Sequence, residues 1–225
     1  MRGLKHDYPA VERAGSVSYG GNQGWSRSAV IRKSGCGLIA ATDLLLYLHQ
    51  NRPGFRSQPF FQAQKGTTLT QEAYERISER LRRSFFPVIP WFGKSGLGIA
   101  MGLNAWFRTC RLPMRARWCV WGEELWTHIE QMLDDDLPVI LTIGQNIPCF
   151  WMKRRVRLYE KVGEGRYRAA AKAKAHHVVV TRMGENWIKV SSWGKEYYID
   201  RREYEQYVKK YSSYFVSNIV FLKHR

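Results

Sequence analysis

The sequence predicts an α+β fold in which helices come first and a mostly antiparallel sheet comes last. Helical periodicity dominates up to about residue 136, whereas short apolar segments separated by turn signals dominate from Leu137 onward. Helices and strands that are segregated along the chain are typical of α+β proteins. A length of 225 residues and a hydrophobic content of 44% suit a globular protein with a real core. We interpret residues 1–225 as a single domain.

Four helices are predicted in the N-terminal part. Residues 1–33 look irregular, and the first helix follows from about Gly37 to Gln50, with Ser34 as its N-cap. A second helix begins after the capping residue Thr70, with Glu side chains early and Arg side chains late. Two further helices are expected over Gly96–Arg108 and Glu123–Asp136.

The C-terminal part is expected to supply the sheet. Its segments are continuously apolar or alternate apolar and polar residues, and turn signals separate them. The predicted strands cover residues 137–144, 176–183, 186–192, 195–200 and 215–223, and a short helix covers residues 201–210.

The net charge of the chain is +17, and the segment from Trp151 to Ala175 is especially basic. Nine Lys or Arg and two Asp or Glu give this segment a charge of +7. Such a segment attracts acidic partners or an anionic surface, or it is a solvated hairpin that aids solubility. We expect an acidic partner to contact residues 153–174. Specific nucleic-acid recognition is not expected, because no helix-turn-helix, zinc-finger or RNA-binding signature is found.

The four cysteines are scattered and form no Cys-x-x-Cys pair. Neither a metal site nor a dense disulfide framework is therefore expected, and one disulfide among Cys110, Cys119 and Cys149 stays open. No apolar run is long enough to span a bilayer. Because the N-terminal segment has no apolar secretory signal, a cytoplasmic location is expected.

Cys36 lies between Gly35 and Gly37 where the first long helix begins. Unpaired backbone N–H groups and the helix dipole favour a negative charge there, which lowers the pKa of a cysteine thiol. The two glycines carry no side chain that would block an approaching ligand backbone. These features indicate a nucleophilic thiol. The alternative is a small buried cysteine beside glycines that only shape a turn.

Nucleophilic cysteine chemistry needs a base, an orienting group for that base, and donors for an oxyanion. His176 and His177 are the candidate bases, because they begin a predicted strand whose packing alone does not explain a polar pair. A Ser-Ser-Trp-Gly turn at 191–194 ends the next strand.

The order of these parts resembles the papain-like cysteine peptidases, and most closely the bacterial branch that processes double-glycine leaders. The matching segments are GCGLIA at 35–40, LPVILTIG at 137–144, HHVVVT at 176–181 and SSWG at 191–194. The resemblance implies a papain-like fold with the cysteine at the start of its central helix. It also implies hydrolysis of a peptide or isopeptide bond in a peptide or protein substrate, without a cofactor.

The resemblance assigns roles to individual residues. Cys36 would be the nucleophile and His176 its base, with His177 in the neighbouring aromatic position. Gln23 would donate to the oxyanion, although it lies thirteen residues before the cysteine, across an insertion that the family lacks. Ser191 stands where the family has Asn or Asp. The residues that would contact substrate are Gly35, Gly37, His177 and Trp193.

The serine leaves an alternative open. A serine accepts a hydrogen bond from an imidazole, but it cannot stabilise an imidazolium as a carboxylate does. In the alternative, the domain is catalytically inactive and binds a peptide or an anionic partner through its basic segment. In either case that segment, which precedes the histidines, is expected to overhang the cleft as a charged flap.

Overall fold

The computed structural model describes residues 2–56, 61, 68–91, 93–144 and 154–224. Within them the chain forms helices and a large antiparallel sheet, so the α+β class is confirmed. The helices are α1 Ala29–Ser34, α2 Cys36–Asn51, α3 Gln71–Ser84, α4 Gly96–Thr109, α5 Leu125–Asp134 and α6 Arg201–Tyr211.

The strands are short in the N-terminal part and longer in the C-terminal part. The first six are β1 Arg2–Gly3, β2 Ala10–Arg13, β3 Ser16–Tyr19, β4 Thr68–Thr70, β5 Met114–Trp118 and β6 Val139–Ile143. The last six are β7 Val156–Gly163, β8 Arg166–Ala173, β9 His176–Met183, β10 Trp187–Ser192, β11 Lys195–Asp200 and β12 Ile219–His224.

Nine of the described strands form one sheet in the order β5-β12-β6-β9-β10-β11-β7-β8, with β1 paired to β9. Its strand pairs are antiparallel. The register of β6 and β9 places Thr142 opposite His177 and Ile143 opposite His176. A smaller sheet has the order β3-β2-β4. The two histidines therefore begin a strand that has neighbours on both sides.

Helix α2 is the central helix of the core. Its residues 37–49 are all buried, as expected for a helix that is apolar nearly all round. It packs on β9 and β6 and contacts α3 and α4. A Cβ on Gly37 would lie 3.2 Å from Cδ2 of His177. The first turn of α2, which contains Cys36, is thus held against the start of β9.

The prediction that residues 1–33 are irregular is wrong, because they contain β1, β2, β3 and α1. The predicted N-cap is also wrong. Ser34 is the last residue of α1, and Gly35, with φ −89° and ψ 4°, joins α1 to α2 without a side-chain cap. A Cβ on Gly35 would lie 2.5 Å from the carbonyl oxygen of Ile31, so the tight junction of the two helices needs a glycine.

The basic segment forms the hairpin β7–β8 at one edge of the large sheet, with β10 and β11 between it and β9. Residues 151–153 at its start lie outside the described residues. Cys110 and Cys119 are free thiols, and Cys149 also lies outside the described residues. In the described part of the chain, no helix has both the length and the apolar character needed to cross a membrane.

Candidate active site

The four residues predicted to be catalytic line one small cavity. Cys36 contributes from the first turn of α2, Gln23 from the loop before α1, His176 from the start of β9, and Ser191 from the end of β10. His177 and Trp193 line the same cavity. Residues that are far apart in the sequence therefore meet where the start of α2 contacts the start of β9.

Cys36 is a neutral thiol in the resting protein. Burial raises the pKa of the Cys36 thiol, and backbone N–H groups of His177 and Gly37 oppose this only in part. The expectation that the helix start lowers this pKa is wrong, because desolvation outweighs the nearby N–H groups. Part of the residue still reaches the surface. Among the described residues, no hydrogen bond joins Cys36 to either imidazole.

His177 has both ring nitrogens engaged. Nε2 lies 2.7 Å from the carbonyl oxygen of Lys94, which can only accept, so Nε2 carries the hydrogen. Nδ1 then accepts from the hydroxyl of Thr142 at 2.9 Å. Burial lowers the pKa of His177 to about 4. The ring is therefore fixed as a neutral imidazole whose only acceptor nitrogen is already occupied.

His176 has one ring nitrogen engaged and one open. Its Nε2 lies 2.7 Å from Oγ of Ser192, and its ring stacks on the indole of Trp193 with centroids 4.4 Å apart. Its Nδ1 has no hydrogen-bond partner among the described residues. Burial, with a smaller contribution from His177, lowers the pKa of His176 to about 3. Of the two histidines, His176 is the one with an open ring nitrogen, and Nδ1 can accept a proton in the tautomer whose Nε2–H donates to Ser192.

Ser192 contacts the histidine, and Ser191 does not. Ser191 pairs with Val179 across β10 and β9, so it lies on the opposite face of the sheet from His176. Its Oγ donates to the carbonyl oxygen of Tyr19 at 2.9 Å. The adjacent Ser192 shares the face of His176. The prediction that Ser191 contacts the histidine is therefore wrong, and in the described structure the serine beside His176 is Ser192.

Gln23 reaches the cavity because the insertion before Cys36 folds as α1. Gln23 begins a short 3-10 helix over Gln23–Trp25, which is capped by the side chain of Asn22. The Gln23 amide donates to the carbonyl oxygen of Arg32 at 2.8 Å, and Asn22 Nδ2 donates to that of Trp193 at 2.9 Å. The amide nitrogen of Gln23 has a second hydrogen that this contact does not use.

The two glycines beside Cys36 do not line the cavity. Gly35 lies against Ile31, and Gly37 lies against Ile99 and His177. Both are buried, and their small size serves the close packing of α2 against α1, α4 and β9. The structure thus places them against protein and not along the approach of a ligand.

A larger cavity of about 730 Å³ adjoins the site and shares His177 with it. Its lining is mostly apolar, and Ile89 and Phe215 leave 57% and 76% of their surface exposed there. Among the described residues of this lining, Lys94 is the cation, and burial lowers the pKa of its amine. The volume and lining suit a large apolar side chain. The hairpin β7–β8 contributes no described residue to either cavity.

One carboxyl group in the small cavity was not identified as a site residue from the sequence. Asp43 lies on α2, seven residues after Cys36, and is buried among Tyr8, Gly21 and Tyr74. An aspartate inside an apolar helix is visible in the sequence, but nothing there connects it with the loop that contains Gln23. Among the described residues, no cluster of three His, Cys, Asp or Glu could hold a metal ion.

Comparison with known proteins gives no matching family model, no matching curated protein and no matching solved structure. Function is therefore argued from the chemistry of this cavity.

Proposed function

We propose that the protein is a papain-like cysteine hydrolase that cleaves a peptide or isopeptide bond. The observation that carries this proposal is the single cavity shared by Cys36, His176 and Gln23, in which His176 is oriented by Ser192 and has an open Nδ1. The central position of α2 and the antiparallel sheet behind it support a papain-like fold.

In the proposed reaction, the sulfur of Cys36 attacks the carbonyl carbon while its proton passes to Nδ1 of His176. The oxyanion accepts hydrogen bonds from the backbone N–H of Cys36, which lies at a helix start and has no acceptor within the helix, and from the amide of Gln23. His176 then gives the proton to the leaving amine. Water hydrolyses the resulting thioester, which restores the thiol.

The resting state of this site is a neutral thiol beside a neutral imidazole. The pKa of the Cys36 thiol is raised and that of His176 is lowered to about 3, so a thiolate–imidazolium pair does not form before substrate binds. Proton transfer must then accompany the attack on the carbonyl. Ser192 orients the imidazole through a hydrogen bond but adds no negative charge.

We propose that the apolar cavity beside His177 holds a large apolar side chain next to the cleaved bond. Its volume of about 730 Å³ and its exposed Ile89 and Phe215 support this assignment. Lys94 belongs to the same lining, and its amine would supply the positive charge in these apolar surroundings. An acidic group that follows the apolar residue would be favoured there.

The same neutral pair favours a second candidate, a catalytically inactive domain that binds a peptide or an anionic partner through the basic hairpin. Arg166 and Arg168 are exposed on β8 and are available to acidic ligands, although Arg168 also lies 3.9 Å from Glu160. This candidate requires binding without turnover.

Incubation with a diverse peptide mixture separates the two candidates. We expect the unmodified protein to generate new peptide termini, detected by mass spectrometry, next to large apolar residues. The Cys36→Ala variant should generate none. If both proteins leave every peptide intact but retain acidic peptides in a way that weakens with salt, the inactive binding domain is the correct assignment. Cleavage that persists in Cys36→Ala would reject the thiol mechanism.

A further inference from the structure

Asp43 has no part in the chemical steps above, yet it lines the same cavity as Cys36 and Gln23. It is only 2% exposed. It follows Cys36 by seven residues, which is about two helical turns and places both side chains on one face of α2. A buried carboxyl group is costly unless nearby donors satisfy it, so its contacts indicate what it stabilises.

Three donors point at this carboxyl group. Tyr74 Oη donates at 2.7 Å and Tyr8 Oη at 3.3 Å. The backbone N–H of Gly21 lies 3.1 Å from both carboxyl oxygens. Burial raises the pKa of Asp43 to about 7, and these three hydrogen bonds oppose that increase. Gly21 is the one donor that belongs to the loop before Gln23.

The loop is packed against the carboxyl group without space between them. Gly20 has a φ of +75°, and a Cβ there would overlap Oδ2 of Asp43 and lie 2.5 Å from Oγ of Ser191. The next residues are held from the other side, because Asn22 donates to the carbonyl oxygen of Trp193 at 2.9 Å. The backbone before Gln23 is therefore fixed between α2 and the turn after β10.

We propose that Asp43 is a positioning residue, which holds the loop Gly20–Gln23 so that the amide of Gln23 points at the oxyanion formed beside Cys36. This inference rests on the proposed function. Asp43 touches no substrate atom and acts through the N–H of Gly21. An oxygen that accepts this N–H is required at position 43, whereas a negative charge is not.

A second buried aspartate provides a matched control. Asp136 is 4% exposed and accepts from the phenol of Tyr47, from the backbone N–H of Lys5 at 2.7 Å and from His6 Nδ1 at 2.7 Å. It resembles Asp43 in burial and in its Tyr and backbone donors. It contacts the later part of α2, far along the helix from Cys36, and does not line the cavity.

Peptide hydrolysis by single and double variants tests whether Asp43 acts through Gln23. Removing one oxyanion donor typically lowers kcat by about 10²–10³-fold, so Gln23→Ala should lose that much. We expect Asp43→Ala to lower kcat similarly, with a smaller change in KM, and Asp43→Asn to retain most of kcat. The double variant Asp43→Ala/Gln23→Ala should be no slower than Gln23→Ala. Asp136→Ala should lose stability but keep kcat.

Amide hydrogen exchange of the loop supplies a readout that does not depend on turnover. Asp43→Ala should accelerate exchange at Gly21 and its neighbours, whereas Asp136→Ala and Asp43→Asn should not. An unchanged exchange rate at Gly21 in Asp43→Ala, or multiplicative kcat losses in the double variant, would overturn the positioning role. If the unmodified protein cleaves no peptide, the proposed function fails, and exchange at Gly21 still decides whether Asp43 holds the loop.

Discussion

Replacing His176 with Ala is expected to lower Cys36-dependent hydrolysis by about 10²–10⁴-fold, the usual contribution of a general base. His176 is oriented by Ser192 and by the Trp193 indole, and its Nδ1 is the open ring nitrogen of the pair. Without it, none of the described residues offers the neutral thiol an open imidazole nitrogen at the moment of attack. The measurement is kcat/KM for a peptide that the unmodified protein cleaves.

His177→Ala is the matched control. It removes an equally buried imidazole but leaves the proposed base in place. We expect it to lower the free energy of unfolding by about 1–3 kcal/mol, because the Thr142 hydroxyl and the Lys94 carbonyl lose their partner. Hydrolysis at a temperature where the variant is folded should exceed that of His176→Ala. The reverse order of the two variants would assign the base to His177.

Stability is expected to fall as the pH drops from about 6.5 toward 4. Burial lowers the pKa of His176 to about 3 and that of His177 to about 4, from an ordinary value of 6.5. Within this window the unfolded chain binds protons that the folded protein does not, so each histidine costs about 1.4 kcal/mol for every pH unit. Above pH 6.5 the two histidines cause no loss of stability, because neither the folded nor the unfolded protein binds these protons.

Asp43 changes the folding stability with pH in the opposite direction. Its pKa of about 7 exceeds its ordinary value of 3.8, so between these values the folded protein binds a proton that the unfolded chain lacks. Its contribution to stability is therefore lost as the pH rises through this window. On acidification the two histidines lower the free energy of unfolding and the aspartate raises it. Together these three groups lower it by about 1.4 kcal/mol per pH unit.

Urea unfolding followed by tryptophan fluorescence at several pH values between about 4 and 7.5 measures this dependence. His176→Gln should remove one of the two histidine contributions and flatten the curve, whatever its effect on stability at neutral pH. Asp43→Asn should steepen it. A His176→Gln curve parallel to that of the unmodified protein would mean that His176 is not held neutral in the folded state.

The sequence was sufficient for the α+β class and for most of the helices and strands after residue 68, because their periodicity and turn signals are strong. The N-terminal strands were not predicted, because each has at most four residues and tertiary contacts determine its partners. Cys36, His176 and Gln23 were selected from the sequence and do line one cavity, whereas their catalytic roles stay predictions. No local sequence signal predicted that the insertion would form α1 and bring Gln23 close to Cys36.

The choice between Ser191 and Ser192 depends on strand register, which the sequence does not determine to within one residue. Adjacent strand residues face opposite sides of a sheet, so an error of one residue exchanges a histidine partner for a loop contact. The register of β9 and β10 shifts between Lys189 and Val190, which is an irregularity that composition does not reveal. The raised pKa of the Cys36 thiol was not predicted for a related reason, because the burial that raises it depends on packing against β9.

The most direct measurement of the central claim is covalent labelling with a peptide electrophile that has a large apolar residue next to its reactive carbon. The adduct is mapped by mass spectrometry in the unmodified protein, in His176→Ala and in His177→Ala. Labelling is expected at Cys36, much slower in His176→Ala than in His177→Ala, and suppressed by an excess of a cleavable peptide. Labelling that favours Cys110 or Cys119, or an equal rate at Cys36 in all three proteins, would contradict the assignment of Cys36 and His176 as nucleophile and base.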